Sequence, residues 1–154
     1  VVCSAQRPVK MICPRDGWAE QDPQQVVQSV VDCMQECADN LGAEAMGLVK
    51  AIGLAVQRES TVAFEGDAGR AMDFKSPLIL WLDSRTKSLV GRYSRKIVQP
   101  KTGLIPSTYF SAVKMRWMVE NLELNRERVK FATVDALLLN TLTGRFATDT
   151  SNAS

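Results

Sequence analysis

The sequence contains no histidine. Without an imidazole, any general base must be Asp, Glu, Lys, Tyr or Cys, and serine–histidine catalysis is excluded within the chain. A zinc site would need all four cysteines, and Cys3, Cys13, Cys33 and Cys37 lack the usual close pairs. Cys33 and Cys37 stand one helical turn apart and read as helix neighbours. All four are expected to be reduced packing residues of a cytoplasmic protein. No apolar stretch approaches the about 20 residues that cross a bilayer, and no basic start leads into a hydrophobic segment of signal-peptide type. Charge of one sign is also lacking: 19 Lys and Arg against 17 Asp and Glu leave a formal net charge of +2. That is too little to imply nucleic acid or an anionic membrane. The cations Arg85, Lys87, Arg92, Arg95, Lys96 and Lys101 read as spread around a helix, not gathered into a groove, which argues against a nucleic-acid partner.

What is present fits one domain of an ordinary soluble type. The 154 residues can bury a sizeable core, and no repeat, low-complexity segment or linker interrupts them. Asp22-Pro23-Gln24-Gln25 predicts a helix start: Asp22 as cap, Pro23 at the first helical position, Gln25 completing a capping box. Val26, Val27, Val30, Val31, Met34, Ala38 and Leu41 then recur at helical spacing up to Gly42, a natural stop. Residues 22–41 are therefore read as an amphipathic helix.

Extended segments alternate with such helices. Val1 to Gln6 and Val9 to Ile12 read as strand, with a turn at Pro14-Arg15-Asp16-Gly17. Val49 to Gln57 is continuously apolar, as expected of a strand covered on both faces. Thr61 to Glu65 follows, with a loop or hairpin signal from Glu65 to Arg70, and Pro77 to Asp83 reads as another buried strand. A polar helix is predicted from Ser84 to about Ile97. A second follows a cap at Ser107 or Thr108 and points Phe110, Val113, Trp117, Met118 and Leu122 inward. The charged stretch 123–130 leads to Phe131–Val134 and a last helix from Asp135 to Thr143, stopped by Gly144. The pattern is an α/β layer architecture. Both ends read as cut through structured segments, as in a piece of a longer protein. Asn152-Ala153-Ser154 fits a glycosylation sequon, read as coincidence without a secretory signal.

The candidate chemistry sits between two apolar runs, at Gln57-Arg58-Glu59-Ser60-Thr61. A guanidinium offers a fork of donors and a carboxylate offers only acceptors, so Arg58 beside Glu59 suits a small molecule bearing several hydroxyls. An ion pair in water at a strand end is the competing reading.

Several segments, in order along nearly the whole chain, resemble the glycerol kinases of the FGGY carbohydrate kinase family. Gly17 to Pro23 is similar to GWVEQDP, and Ala51 to Val62 to AIGxxNQRETTV. Leu80 to Thr86 resembles the VWxDxRT strand end. Lys101 to Trp117, the longest match, is similar to KTGLPLSTYFSAVKLRW and singles out glycerol kinases within the wider family. Phe131 to Asp135 resembles FGTVD, Leu142-Thr143-Gly144 resembles LTGG, and Thr148 to Ser154 is similar to TDVTNAS. The likeness is greatest to animal-type enzymes.

The resemblance implies an actin-like (ribonuclease H-like) fold, here a partial N-terminal domain without its first strands and without the C-terminal domain. It implies ATP-dependent phosphorylation of glycerol by the intact protein, with ATP and Mg2+ as cofactors and an oligomeric assembly of like subunits. It also implies glycerol contacts from Arg58, Glu59, Trp81 and Tyr109. In that role Arg58 would donate to substrate oxygens, Glu59 accept from hydroxyls and Tyr109 do either, while Trp81 packs against the carbon chain. Trp18 and Trp117 are read as packing residues.

The phosphate loop is expected before Val1, and the base aspartate and most of the nucleotide site after Ser154. The segment alone is therefore expected to be inactive. Some intact animal forms attach to mitochondria through a C-terminal segment outside this span. Departures include Val56 for the usual Asn, Phe64-Glu65 for Trp-Asp, Ala132 for Gly and Arg145 after Leu-Thr-Gly. They leave open a kinase of another polyol or sugar, or a non-catalytic regulatory relative.

Overall fold

A computed structural model describes residues 1–66 and 72–153. Its elements are β1 (Glu20–Gln21), α1 (Pro23–Met46), β2 (Thr61–Glu65), β3 (Asp73–Phe74), β4 (Leu78–Ile79), α2 (Lys87–Val90), α3 (Arg95–Thr102), α4 (Ser111–Asn121), β5 (Lys130–Thr133) and α5 (Val134–Thr143). The sheet is antiparallel at every described pairing, with β2 at its centre. Strand β5 runs along one side of β2, pairing Thr61 with Thr133 and Phe64 with Lys130. Strands β3 and β4 share the other side, and β1 extends the sheet beyond β4.

Pro77 explains why that second side is split. Proline has no N–H for the ladder. Just before it, the Lys75 N–H donates to the Ala63 carbonyl, and the Ser76 hydroxyl accepts the Ala63 N–H at 2.8 Å. Strand β2 is buried on both faces because side chains alternate across a strand. Val62 and Phe64 enter one core with Ala19, Val26, Leu78, Val134 and Leu137. Ala63 enters another with Ile79 and Met118, backed by Trp117, Leu122 and Phe131. Helices α1 and α5 thus contribute to the first core and α4 to the second.

Helix α1 begins as its sequence predicts, with the Asp22 carboxylate accepting the Gln24 N–H at 2.9 Å. Gln25 does not close a capping box; its side-chain Oε1 accepts from the Lys10 N–H. Gly42, at φ 72 and ψ 169, breaks the helix where a stop was expected, and helical turns resume as far as Met46. Gly144, at φ 71, ends α5 as expected.

Several expectations are corrected. Val49 to Gln57 is not a buried strand: it runs as irregular backbone, with Val49, Ile52 and Leu54 exposed. A strand is stable only as part of a ladder, and among the described residues none is paired with this run. Among the described residues, the N-terminal segment joins the sheet only at Ile12, which pairs with Glu20. The polar helix expected over 84–97 is two helices, α2 and α3, and α3 carries Pro100 and ends at Gly103 in a left-handed cap. Helix α4 starts at Ser111, after a turn in which the Ser107 hydroxyl accepts the Tyr109 N–H. Most of the expected loop after Glu65 lies outside the described residues. Cys3, Cys33 and Cys37 are partly buried, but Cys13 is exposed, against the packing role expected of it. A hydrogen bond with Cys3, more than burial, pushes the Cys37 thiol pKa up.

Candidate functional site

Arg58 and Glu59 lie in the turn that leads into β2. Glu59 has φ 66, the one non-glycine residue at positive φ among those described. Such a conformation costs a residue with a side chain roughly 1–2 kcal/mol, so the surrounding contacts must hold it there. They do. The Glu59 side chain is buried, and its Oε2 accepts the Ser111 N–H at 2.6 Å and the Ser111 hydroxyl at 2.7 Å. Ser111 is the first residue of α4, and Phe110 before it offers no side-chain cap. The carboxylate therefore satisfies an orphan donor and sits at the positive end of the helix.

Trp81 and Tyr109 come together through the same turn. The Trp81 N–H donates to the Ser60 hydroxyl at 3.1 Å, next to Glu59. Tyr109 lies two residues before Ser111. The two rings meet edge to face, with centroids 6.2 Å apart and planes at 69°, an arrangement that aromatic quadrupoles favour. Trp81 remains 45% exposed. Arg58 is exposed and donates from Nη1 to the Ser151 carbonyl at 3.3 Å, so it tethers the C-terminal turn. Three of the four expected residues are thus knitted together by short links, and the fourth ties a more distant segment to the same turn. Glu59 differs from the simple expectation in one respect: one of its oxygens is committed to Ser111.

Several residues here escaped the sequence reading. Lys114 is fully buried, with Nζ donating to the carbonyls of Thr108, at 3.1 Å, and Tyr109. Burial lowers its pKa to about 8, against the pull of Glu59 and Asp83, which raise it. Arg85, read from sequence as one of several cations spread around a helix, is instead a non-helical residue with a buried side chain. Its guanidinium lies 3.8 Å from the Trp18 ring centroid and 5.0 Å from that of Trp117, and it donates to both oxygens of Asp83 and to Glu20. Asp83 also accepts the Ala19 N–H at 2.6 Å. Trp18 and Trp117 do pack, edge to face at 5.4 Å, and they also bracket a cation. The only sequence signal for this cluster was the Asp-x-Arg spacing after Trp81, which carries no burial information.

A cleft of about 470 Å³ opens beside α4, lined by Ser111, Met115, Phe131, Thr133, Phe146 and Thr148 among others. Along its edge Asp135 accepts from the Thr133 and Thr148 hydroxyls. Asp149, with hydrogen bonds from Ser151 and Asn152, has its pKa held down at about 2. Among the described residues no group of three or more Cys, Asp or Glu is placed to hold a metal ion.

The sequence matches the N-terminal domain of the FGGY family of carbohydrate kinases over residues 1–154. It is 36% identical over 169 aligned residues to a probable glycerol kinase of Caenorhabditis elegans, covering 100% of this chain and 33% of that protein. It is 37% identical over 164 residues to a glycerol kinase of Ectopseudomonas mendocina, covering 99% and 32%. In three dimensions it resembles the ADP-bound glycerol kinase of Plasmodium falciparum, with a TM-score of 0.79 at 28% identity over 96% of this chain and 31% of that one. A gluconate kinase of Lactobacillus acidophilus shares the fold, with a TM-score of 0.81 at 21% identity over 96% and 29%. The chain thus spans about a third of the length of these relatives, and its fold is that of the actin-like sugar kinases. By its full-length match to the N-terminal domain, this chain belongs to the FGGY family of carbohydrate kinases.

Proposed function

We propose that the whole protein transfers the terminal phosphoryl group of ATP to glycerol, giving sn-glycerol 3-phosphate, and that residues 1–154 contribute the glycerol-binding wall. The observation that carries this reading is the junction of Trp81, Tyr109 and Glu59. Two aromatic rings are in contact, one of them open to solvent; the Trp81 N–H is bonded to Ser60, the neighbour of Glu59, and the buried Glu59 carboxylate is bonded to Ser111, two residues after Tyr109. Arg58 adds a fork of donors beside them. A triol needs one apolar surface for its carbons and paired donors and acceptors for its hydroxyls. Buried polar groups of this kind discriminate against analogues that lack a hydroxyl, since their own bonds then go unmade.

ATP with magnesium belongs to the same reading, and neither is assigned a residue in this chain. Phosphoryl transfer rests on positioning and on stabilising charge, and the groups expected for it lie outside residues 1–154. The segment alone is therefore inactive in this proposal. The whole protein works in the cytoplasm as an assembly of like subunits, with mitochondrial attachment a matter for other segments. No described helix is long and apolar enough to cross a membrane.

Two departures from the family pattern are accommodated by packing. Val56 packs on the main core, and Ala132 is buried in β5 opposite Val62. The test is a substrate panel on the full-length protein with ATP: glycerol, a pentulose and gluconate. Preferred turnover of glycerol, weakened by Arg58→Lys, is expected. Preference for the pentulose or gluconate would transfer the assignment to another kinase of the family, and no turnover of any would leave a non-catalytic relative.

A further inference from the structure

We infer that Lys114 is a positioning residue for the glycerol site: its buried ammonium holds the Thr108–Tyr109 turn so that the Tyr109 ring meets Trp81. The inference rests on the glycerol-site reading above. Lys114 belongs to the first turns of α4, where the helix dipole disfavours a cation. Desolvating the ammonium adds to that cost. A methionine of similar length would fill the same space without either penalty, and burying an ion often stabilises a fold no better than a packed apolar side chain. Core filling therefore does not account for a lysine here.

What the lysine does, and methionine cannot, is donate. Nζ bonds the Thr108 and Tyr109 carbonyls, the backbone that carries the Tyr109 side chain. The acidic groups that act on it are Glu59 and Asp83. Glu59 is bonded to Ser111 three residues before Lys114, and Asp83 lies two residues after Trp81. Helix α4 thus carries two of the anchors of the site, Ser111 for Glu59 and Lys114 for Tyr109. Ser111 bonds Glu59 at the start of the helix, and Lys114, in the same helical turn, bonds the backbone of Tyr109.

The test uses the full-length protein and measures KM for glycerol and for ATP separately, with thermal stability alongside. Lys114→Met is expected to raise the KM for glycerol about 10- to 100-fold, the scale of an ångström-sized misplacement. KM for ATP should stay within about twofold, and the melting temperature should be unchanged or higher. Lys114→Arg, which keeps the charge and two donors, should recover much of the loss. Tyr109→Phe and Arg58→Lys serve as controls for the site itself. If those two raise the KM for glycerol and Lys114→Met does not, the inference is overturned and the site reading stands. If neither control moves it, the site reading fails and the inference falls with it. Should Lys114→Met not fold, Lys114→Gln decides, since an amide supplies a donor without the charge. An intermediate KM for glycerol supports the inference and a wild-type value overturns it. Failure of both variants to fold makes Lys114 a residue of the fold alone and also overturns it.

Discussion

Glu59 and Ser111, 52 positions apart, meet at a single carboxylate oxygen that accepts both the backbone N–H and the hydroxyl of the serine. The contact joins the turn before β2 to the first residue of α4. It holds Glu59 at positive φ and caps a helix that has no cap of its own.

Ser111→Ala removes the hydroxyl and keeps the N–H. Loss of a hydrogen bond to a buried charged group is expected to cost about 1.5–3 kcal/mol. Chemical denaturation of the variant beside the parent measures it. An unchanged midpoint at unchanged slope would show that the hydroxyl contributes nothing to this anchor.

Arg85→Met should be among the most damaging single changes in the chain. It leaves Asp83 buried without its cation, and breaking a buried pair on one side costs about 3–5 kcal/mol. The pairing is tight, with Arg85 and Asp83 side chains almost wholly buried and 2.8 Å apart. Trp18 and Trp117 also lose the guanidinium between them, so their fluorescence should change. A variant that melts within a degree or two of the parent with an unaltered emission spectrum would contradict this account.

Lys114 ties stability to pH in a definite direction. Its folded pKa of about 8 lies below the ordinary 10.5. Between those values the unfolded chain holds the proton more firmly than the folded one, so stability rises with pH across that window. The contribution is complete above the unfolded pKa and is lost as pH falls through about 8. Melting temperatures of the parent and of Lys114→Met, taken from pH 7 to 10.5, isolate the effect because other groups cancel in the difference. The parent should gain on the variant as pH rises. A flat difference would refute a lowered lysine pKa.

Gly17 is required for two separable reasons. Its φ of +74 is strained for any side chain, and an added Cβ would lie 2.5 Å from the Ser84 hydroxyl. Gly17→Ala should therefore cost more than the about 1–2 kcal/mol of the backbone conformation alone. In the background Ser84→Gly the contact disappears and only the backbone cost remains. A double-mutant cycle on melting free energies reads the difference. Equal costs in both backgrounds would mean that the serine simply turns away.

The elements that sequence made legible are those whose signals are local. Asp22-Pro23 starts α1, Gly42 and Gly144 interrupt or end helices, and Val134 to Thr143 forms α5. The elements it missed depend on partners. Nothing in Val49 to Gln57 reveals whether a ladder stands beside it, and a hydrophobic run alone reads as a strand. The split of 84–97 into two helices turns on Gly91 and on Thr86, which is buried at the start of α2. At the candidate site, Glu59 stands out beside Arg58 by its chemistry, and Trp81 and Tyr109 only through a family resemblance, whereas nothing local marks Ser111 and Lys114, which tie the site together. A serine and a lysine at the start of an amphipathic helix look like solvent-facing residues until burial is known.

The bared stretch from Leu48 to Leu54 has a practical side. Leu48, Val49, Ile52 and Leu54 together present hydrocarbon to water along a few consecutive positions, a surface that favours sticking over staying dispersed. Handled by itself, the polypeptide of residues 1–154 is expected to self-associate: particle size in light scattering should grow with concentration and with added sulfate, and shrink in mild urea.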